Sequence, residues 1–146
     1  MKKRYLLLCS LPLVGCSVTP PKLNVSGEAL KDCPITPNCF RSKNNESQDM
    51  APILLKGSKA AAREKIVSII NSLTRTTIVE ERDNYIRVEF RSQLIGFVDD
   101  VEFLLSQKSG DGTQIDFRSA SRLGVSDLGV NKARIKKLKL CSLSES

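Results

Sequence analysis

The feature that most narrows the fold is a run of four strand-like segments joined by short turns. Residues 85–92 alternate, with Ile86, Val88 and Phe90 on one parity and Arg87, Glu89 and Arg91 on the other. That period of two is the mark of a half-buried strand. The β-branched run Thr76-Thr77-Ile78-Val79 precedes it, across a turn at Arg82-Asp83-Asn84. Residues 97–105 form the next strand and residues 114–120 the last. The turn between those two holds Ser109-Gly110-Asp111-Gly112, a strong hairpin sequence. Consecutive strands with such turns imply an antiparallel meander.

Helical segments flank the strands. In residues 58–74, Ala62, Ile66, Ile69, Ile70 and Leu73 recur at helical spacing, and Ser58 is placed to cap the start. After the strands, Asn131 is expected to cap a last helix running to about Cys141, with Ile135 and Leu138 turned inward. The order is α-β-β-β-β-α. The expected class is α+β, a four-stranded antiparallel meander with two helices packed on one face. About 85 residues can build only a modest core, which a disulfide would support.

The chain before this domain has a different character. Lys2, Lys3 and Arg4 form a basic start, an apolar run follows, and Leu13-Val14-Gly15-Cys16 closes it. The apolar run is roughly half of the ~20 residues needed to span a bilayer. It therefore reads as an export signal of the lipoprotein type, residues 1–15, with cleavage before Cys16 and acylation of its thiol. Residues 16–31, which include Pro20-Pro21, read as a lipid-anchored tether, and residues 32–146 as a single domain. The expected partner is thus a membrane, reached through the lipid. The expected location is the cell envelope, facing the periplasm. Ser17 follows the cysteine where an aspartate would favour the inner membrane, so outer-membrane sorting is favoured.

Charge and cysteine usage exclude several classes. Loss of Lys2, Lys3 and Arg4 lowers the basic count from 23 to 20 against 16 acidic residues, so the net charge falls from +7 to +4. No basic stripe with stacking aromatics appears, and no nucleic-acid partner is expected. Of the five cysteines, Cys9 leaves with the signal and Cys16 takes the lipid. Cys33 and Cys39 bracket a turn-rich stretch with two prolines, and export favours a disulfide between them. Cys141 remains as a buried thiol, with pairing to Cys33 or Cys39 the lesser alternative. The chain has no histidine. A four-ligand zinc site, a Ser-His-Asp triad and a Cys-His pair are therefore not expected, and neither a metal nor a cofactor is assigned.

The candidate functional residues lie late in the chain. Asp99 shares the core parity of Val101 and Phe103, so it must be paired, capped or placed at the rim. Arg91, Arg118 and Arg122 are candidates to pair with it. Asp100 and Glu102 take the opposite, open face, where tight turns would align Arg87, Glu102 and Arg118 as a cross-strand ladder. That face is read first as a solvated, salt-bridged surface and second as a site for a polar or anionic ligand. The stretch from Arg118 to Asn131 holds Arg118, Ser121, Arg122, Ser126, Asp127 and Asn131 just before a helix start, where anions are favoured. Its alternative role is to satisfy its own backbone. Lys132, Arg134, Lys136, Lys137 and Lys139 on the last helix form a solvated face that could also meet anionic headgroups.

Three motifs in order carry a resemblance. Cys33-Pro34-Ile35-Thr36-Pro37-Asn38-Cys39, then Gly96-Phe97-Val98-Asp99-Asp100-Val101-Glu102-Phe103, then the 118–131 stretch with Arg134, resemble the bacterial domain-of-unknown-function family 1499. The family tends to have small residues after the second cysteine, where this chain has Phe40 and Arg41. The resemblance implies no established activity; it marks the three motifs as places of interest. The leading expectation is a non-enzymatic envelope lipoprotein that binds an envelope protein or polar ligand through the Arg/Asp-rich cluster. The alternative is a hydrolase-like enzyme acting on an envelope component through Asp99, Asp127 and the arginines.

Overall fold

The computed structural model describes residues 29–43 and 47–144. The expected signal, the acylated Cys16 and most of the tether lie outside the described residues. Two short strands come first, β1 (Cys39–Arg41) and β2 (Ile53–Lys56). They are followed by α1 (Lys59–Asn71), β3 (Thr76–Arg82), β4 (Tyr85–Arg91), β5 (Val98–Lys108), β6 (Gly112–Ser121) and α2 (Val130–Leu143). Ser58 caps α1, its Oγ accepting from the Ala61 N–H at 3.2 Å.

All pairings are antiparallel, and the sheet order is β1-β6-β5-β4-β3, with β2 also on β6. The expected meander is therefore present but incomplete, since the sheet has six strands. β1 pairs with β6 around Ala120, and β2 pairs with it around Ile115, so the two lie end to end along one edge. Strands of three and four residues are too short to show a period. They exist because β6 would otherwise offer a long unpaired edge.

The helices also depart from the expected layer over a four-stranded sheet. They share the wider sheet: α1 lies against β3, β5 and β6, and α2 against β6, β1 and β2. The main core gathers Ile66 and Ile70 of α1, Ile135 and Leu138 of α2, and Val101, Phe103, Ile115 and Phe117 of the central strands. Phe40 of β1 stacks on Phe117, with ring centroids 6.0 Å apart.

The second face of the sheet, expected to be solvated, is buried. Glu102 has no exposed surface, and Asp100 and Arg118 retain 2 % and 8 %. The register places Arg87 opposite Glu102 and Glu102 opposite Arg118, so the anticipated ladder forms, with Arg41 extending it. Glu102 accepts from the Tyr85 hydroxyl at 2.8 Å and from Arg118 Nη1 at 3.0 Å. Burial, then the neighbouring Glu102 carboxylate, push the Tyr85 phenol well above its ordinary range. The chain near residue 30 covers part of this face. Leu30 packs with Tyr85 and Leu104, and Arg41 donates to the Leu30 carbonyl at 3.3 Å. The folded part thus includes Leu30, a residue that composition alone assigns to the tether.

Candidate functional site

Asp99 and Asp100 open β5. As neighbours on a strand they face opposite sides of the sheet. Each is held by an arginine that arrives from beyond β6. On the core side, Arg134 of α2 donates through Nη2 to Asp99 Oδ2 at 2.5 Å. The same guanidinium donates through Nη1 to Ser119 Oγ at 2.9 Å and to Asn131 Oδ1, and it lies 4.8 Å from the Phe90 ring centroid. On the other side, Arg122 grips Asp100 with two bonds, Nε at 2.7 Å and Nη2 at 2.8 Å, and also reaches Glu89. The bonds to Asp100 raise the Arg122 proton affinity further; burial opposes this and Glu89 adds to it. Such bidentate, charge-assisted pairs are the strong class of hydrogen bond. The two aspartates therefore clamp the β5–β6 end from both faces.

Asn131 joins the loops to this clamp. It was expected to cap α2, but it lies inside the helix and is fully buried. The cap position is Gly129, at φ +82°, a left-handed conformation that glycine adopts without steric cost. Asp127 takes over the capping work. Its Oδ1 accepts from the Gly129 N–H at 3.0 Å and its Oδ2 from the Asn131 N–H at 2.8 Å. Burial by itself would raise the Asp127 carboxyl, but these two N–H bonds outweigh it and hold the group below the usual carboxylate range. Freed from capping, the Asn131 amide accepts from Ser119 Oγ and Arg134, and donates to the Asn38 carbonyl at 3.0 Å and to Ser121 Oγ at 3.1 Å. All four of its hydrogen-bonding capacities are filled.

The Cys33–Cys39 disulfide is formed, and its loop is tied to the same place. Asn38 Nδ2 donates to the Gly124 carbonyl at 2.8 Å, and the Asp127 N–H reaches the Pro37 carbonyl at 3.3 Å. Cys141 is a free, half-buried thiol.

The structure thus brings together Asp99, Asp100, Ser121, Arg122, Asp127 and Asn131. Arg118 sits lower, on the Glu102 row, and Ser126 only accepts from the Leu128 N–H in the exposed loop, at 3.3 Å. None of the three arginines proposed for Asp99 is its partner; Arg134 is. By sequence Arg134 belongs to the basic run Lys132, Arg134, Lys136, Lys137 and Lys139, which reads as a solvated face. Its spacing of three from Asn131 places both on one side of the helix, which is the signal that would have separated it from its neighbours. Ser119, Glu89 and Asn38 were also missed. Among the described residues, no three His, Cys, Asp or Glu side chains are grouped as metal ligands.

The family model described as a protein of unknown function, DUF1499, matches residues 29–140 of the 146. The chain belongs to the DUF1499 family. A search of curated proteins finds no match. The matched DUF1499 region begins just before Leu30 and takes in the disulfide loop, the Asp99-Asp100 pair and the helix that carries Asn131 and Arg134. It coincides with the part of the chain that the core and the clamp hold together.

Proposed function

We propose that this DUF1499 protein is a lipid-anchored envelope lipoprotein whose domain is a non-enzymatic binding or structural module. On this reading the chain is exported, acylated on Cys16, and held at the periplasmic side of a membrane, with Ser17 favouring the outer one. The basic start, the short apolar run and the small residue before Cys16 support the anchor. The observation that carries the non-enzymatic part is that the motif carboxylates are already engaged. Asp99 is held by Arg134, Asp100 by Arg122, and Asp127 by two backbone N–H groups.

A general acid or base must stand within reach of a substrate proton. The hydrolase alternative would need Asp99 and Asp127 to converge on an open cleft. In this chain Asp99 faces an arginine and Asp127 faces the start of α2. A groove of about 450 Å³ lies elsewhere, between residues 48–54 and the C-terminal half of α2, with a mainly apolar wall. A smaller cavity of about 190 Å³ touches Arg134 and Phe90 but is not lined by Asp99 or Asp127. The cluster once assigned to ligand binding is better read as the lock that fixes the surrounding loops, which leaves binding to what those loops present.

Cell fractionation tests the anchor. The wild-type chain is expected in the membrane fraction with an acyl mass on a mature N-terminal Cys16, and Cys16→Ser in the soluble fraction. Equal fractionation of the two, with no added mass, would overturn this reading.

A further inference from the structure

Seven of the twelve exposed large hydrophobic side chains among the described residues lie in three loops at one end of the sheet, and Val130 follows at the start of α2. The register shows that the loops share that end. Arg91 pairs with Val98, Asp99 with Ser121, and Cys39 with Ala120, so the 92–97 turn, the 122–129 loop and the disulfide loop all emerge there. The 92–97 turn presents Leu94 and Ile95, exposed by 94 % and 71 %. The disulfide loop presents Ile35, fully exposed, and the 122–129 loop presents Val125 and Leu128. Leu128 also holds φ +52°, a backbone region that costs a non-glycine residue free energy. A leucine that is both strained and 95 % exposed contributes nothing to the core.

We propose that this apolar crown is a membrane-insertion surface, which dips into the bilayer that holds the lipid of Cys16. It rests on the anchored reading above for the identity of that bilayer. Three observations favour a bilayer over a protein partner. First, the crown is aliphatic apart from Phe97, whereas protein interfaces draw their energy from Trp, Tyr and Arg. Second, its side chains stand on separate convex loops. A fluid apolar phase closes around such prongs, while a folded partner would need a matching pocket for each.

Third, charge is missing where insertion would forbid it. Residues 33–38 and 92–97 contain no charged side chain, and residues 123–130 contain only Asp127, which is bound to backbone N–H groups. The clamp beneath explains how these loops keep their apolar tips outward. Arg122, Asn131 and the disulfide hold their bases, so the loops cannot fold back to bury them.

The geometry of the tether allows it. Leu30 packs against Leu104, six residues along β5 from Val98 and so about 20 Å from the crown at ~3.3 Å per residue. The fourteen residues from Cys16 to Leu30 reach at most about 50 Å when extended. The domain can therefore turn its crown onto the membrane it is tied to.

The chain contains no tryptophan, so single replacements report position directly. The chain from Ser17 onward, which retains every described residue, would carry an N-terminal hexahistidine tag. It would be tethered to uncharged phosphatidylcholine vesicles containing a nickel-chelating lipid and acyl-brominated lipid. Leu94→Trp and Leu128→Trp are expected to lose fluorescence to the bromines. Leu54→Trp, on the groove side of the molecule, should keep its emission. Adding Ile95→Ser and Val125→Ser to Leu94→Trp should reduce the inserted fraction by about tenfold or more. Unquenched Leu94→Trp and Leu128→Trp would overturn the proposal, and so would quenching of Leu54→Trp alone. Because the tag replaces the lipid, this result is independent of whether Cys16 is acylated, which the mass of the mature chain decides separately.

Discussion

Asn131 shows how one side chain can carry the order of several segments. Its amide links β6, α2, the disulfide loop and, through Arg134, the start of β5. Asn131→Ala would take from the buried Ser119 hydroxyl the acceptor of its proton, from Arg134 one of its acceptors, and from the Asn38 carbonyl one of its two donors. A loss of about 2–4 kcal/mol is expected, read as a lower midpoint in urea unfolding. Asp127 makes a different prediction, in pH. Its carboxyl is held below its ordinary value, so its contribution to stability is fully present above about pH 4, the unfolded value. That contribution is lost as pH falls through the lower, folded value. Asp127→Asn should therefore destabilise the protein at pH 7 and flatten the acid limb of its stability profile. An unchanged acid limb in pH-dependent unfolding would remove Asp127 from that role.

Among the elements, the β5–β6 hairpin and α2 are coupled by the Asp99–Arg134 pair. Both side chains are largely buried, so removing one partner leaves the other without its counter-charge. A double-mutant cycle with Asp99→Asn and Arg134→Gln is expected to give a coupling of about 1–3 kcal/mol, each single change being more harmful than additivity allows for the pair. Equal and additive losses would mean that the two elements are joined by apolar packing alone. The short strands serve a comparable purpose at the edge. β1 and β2 cover β6 end to end, and Lys139 of α2 holds the segment before β2 by donating to the carbonyls of Gln48 and Ala51 at 3.1 and 2.6 Å. Burial depresses the Lys139 ammonium, which marks the contact as partly withdrawn from water.

For the molecule as a whole, the sheet has two buried faces of unlike chemistry. One is an aliphatic and aromatic core under the helices. The other is a ladder of arginines and carboxylates, closed at one end by Leu30, Tyr85 and Leu104. The stretch at Leu30 is thus part of the fold and covers one end of the charged face. Leu30→Ala is expected to cost about 2 kcal/mol, the low end for a buried leucine, because a segment near the end of the domain can relax. Thermal unfolding of the variant, with earlier amide exchange at Tyr85 and Leu104, would show it. A stability within about 0.5 kcal/mol of wild type would place Leu30 outside the cooperative unit.

Local patterns determined much of this protein by themselves. The alternation at residues 85–92, the hairpin turn at Gly110, the apolar stripe of α1 with its Ser58 cap, and the Cys33–Cys39 disulfide were all legible, because each depends on residues close in the chain. The Arg87–Glu102–Arg118 ladder was legible for the same reason, since tight turns set its register. What tertiary structure alone decided depends on contacts across long separations. β1 and β2 are strands only because β6 offers them an edge. One end of the charged face is covered because Leu30 returns to pack with Tyr85 and Leu104. Arg134, one basic residue among several on α2, became the partner of Asp99 because α2 packs on β6 and brings the guanidinium to Ser119, beside the first residues of β5. Composition cannot distinguish such an arginine from its solvated neighbours; burial and a carboxylate 35 residues earlier in the chain do.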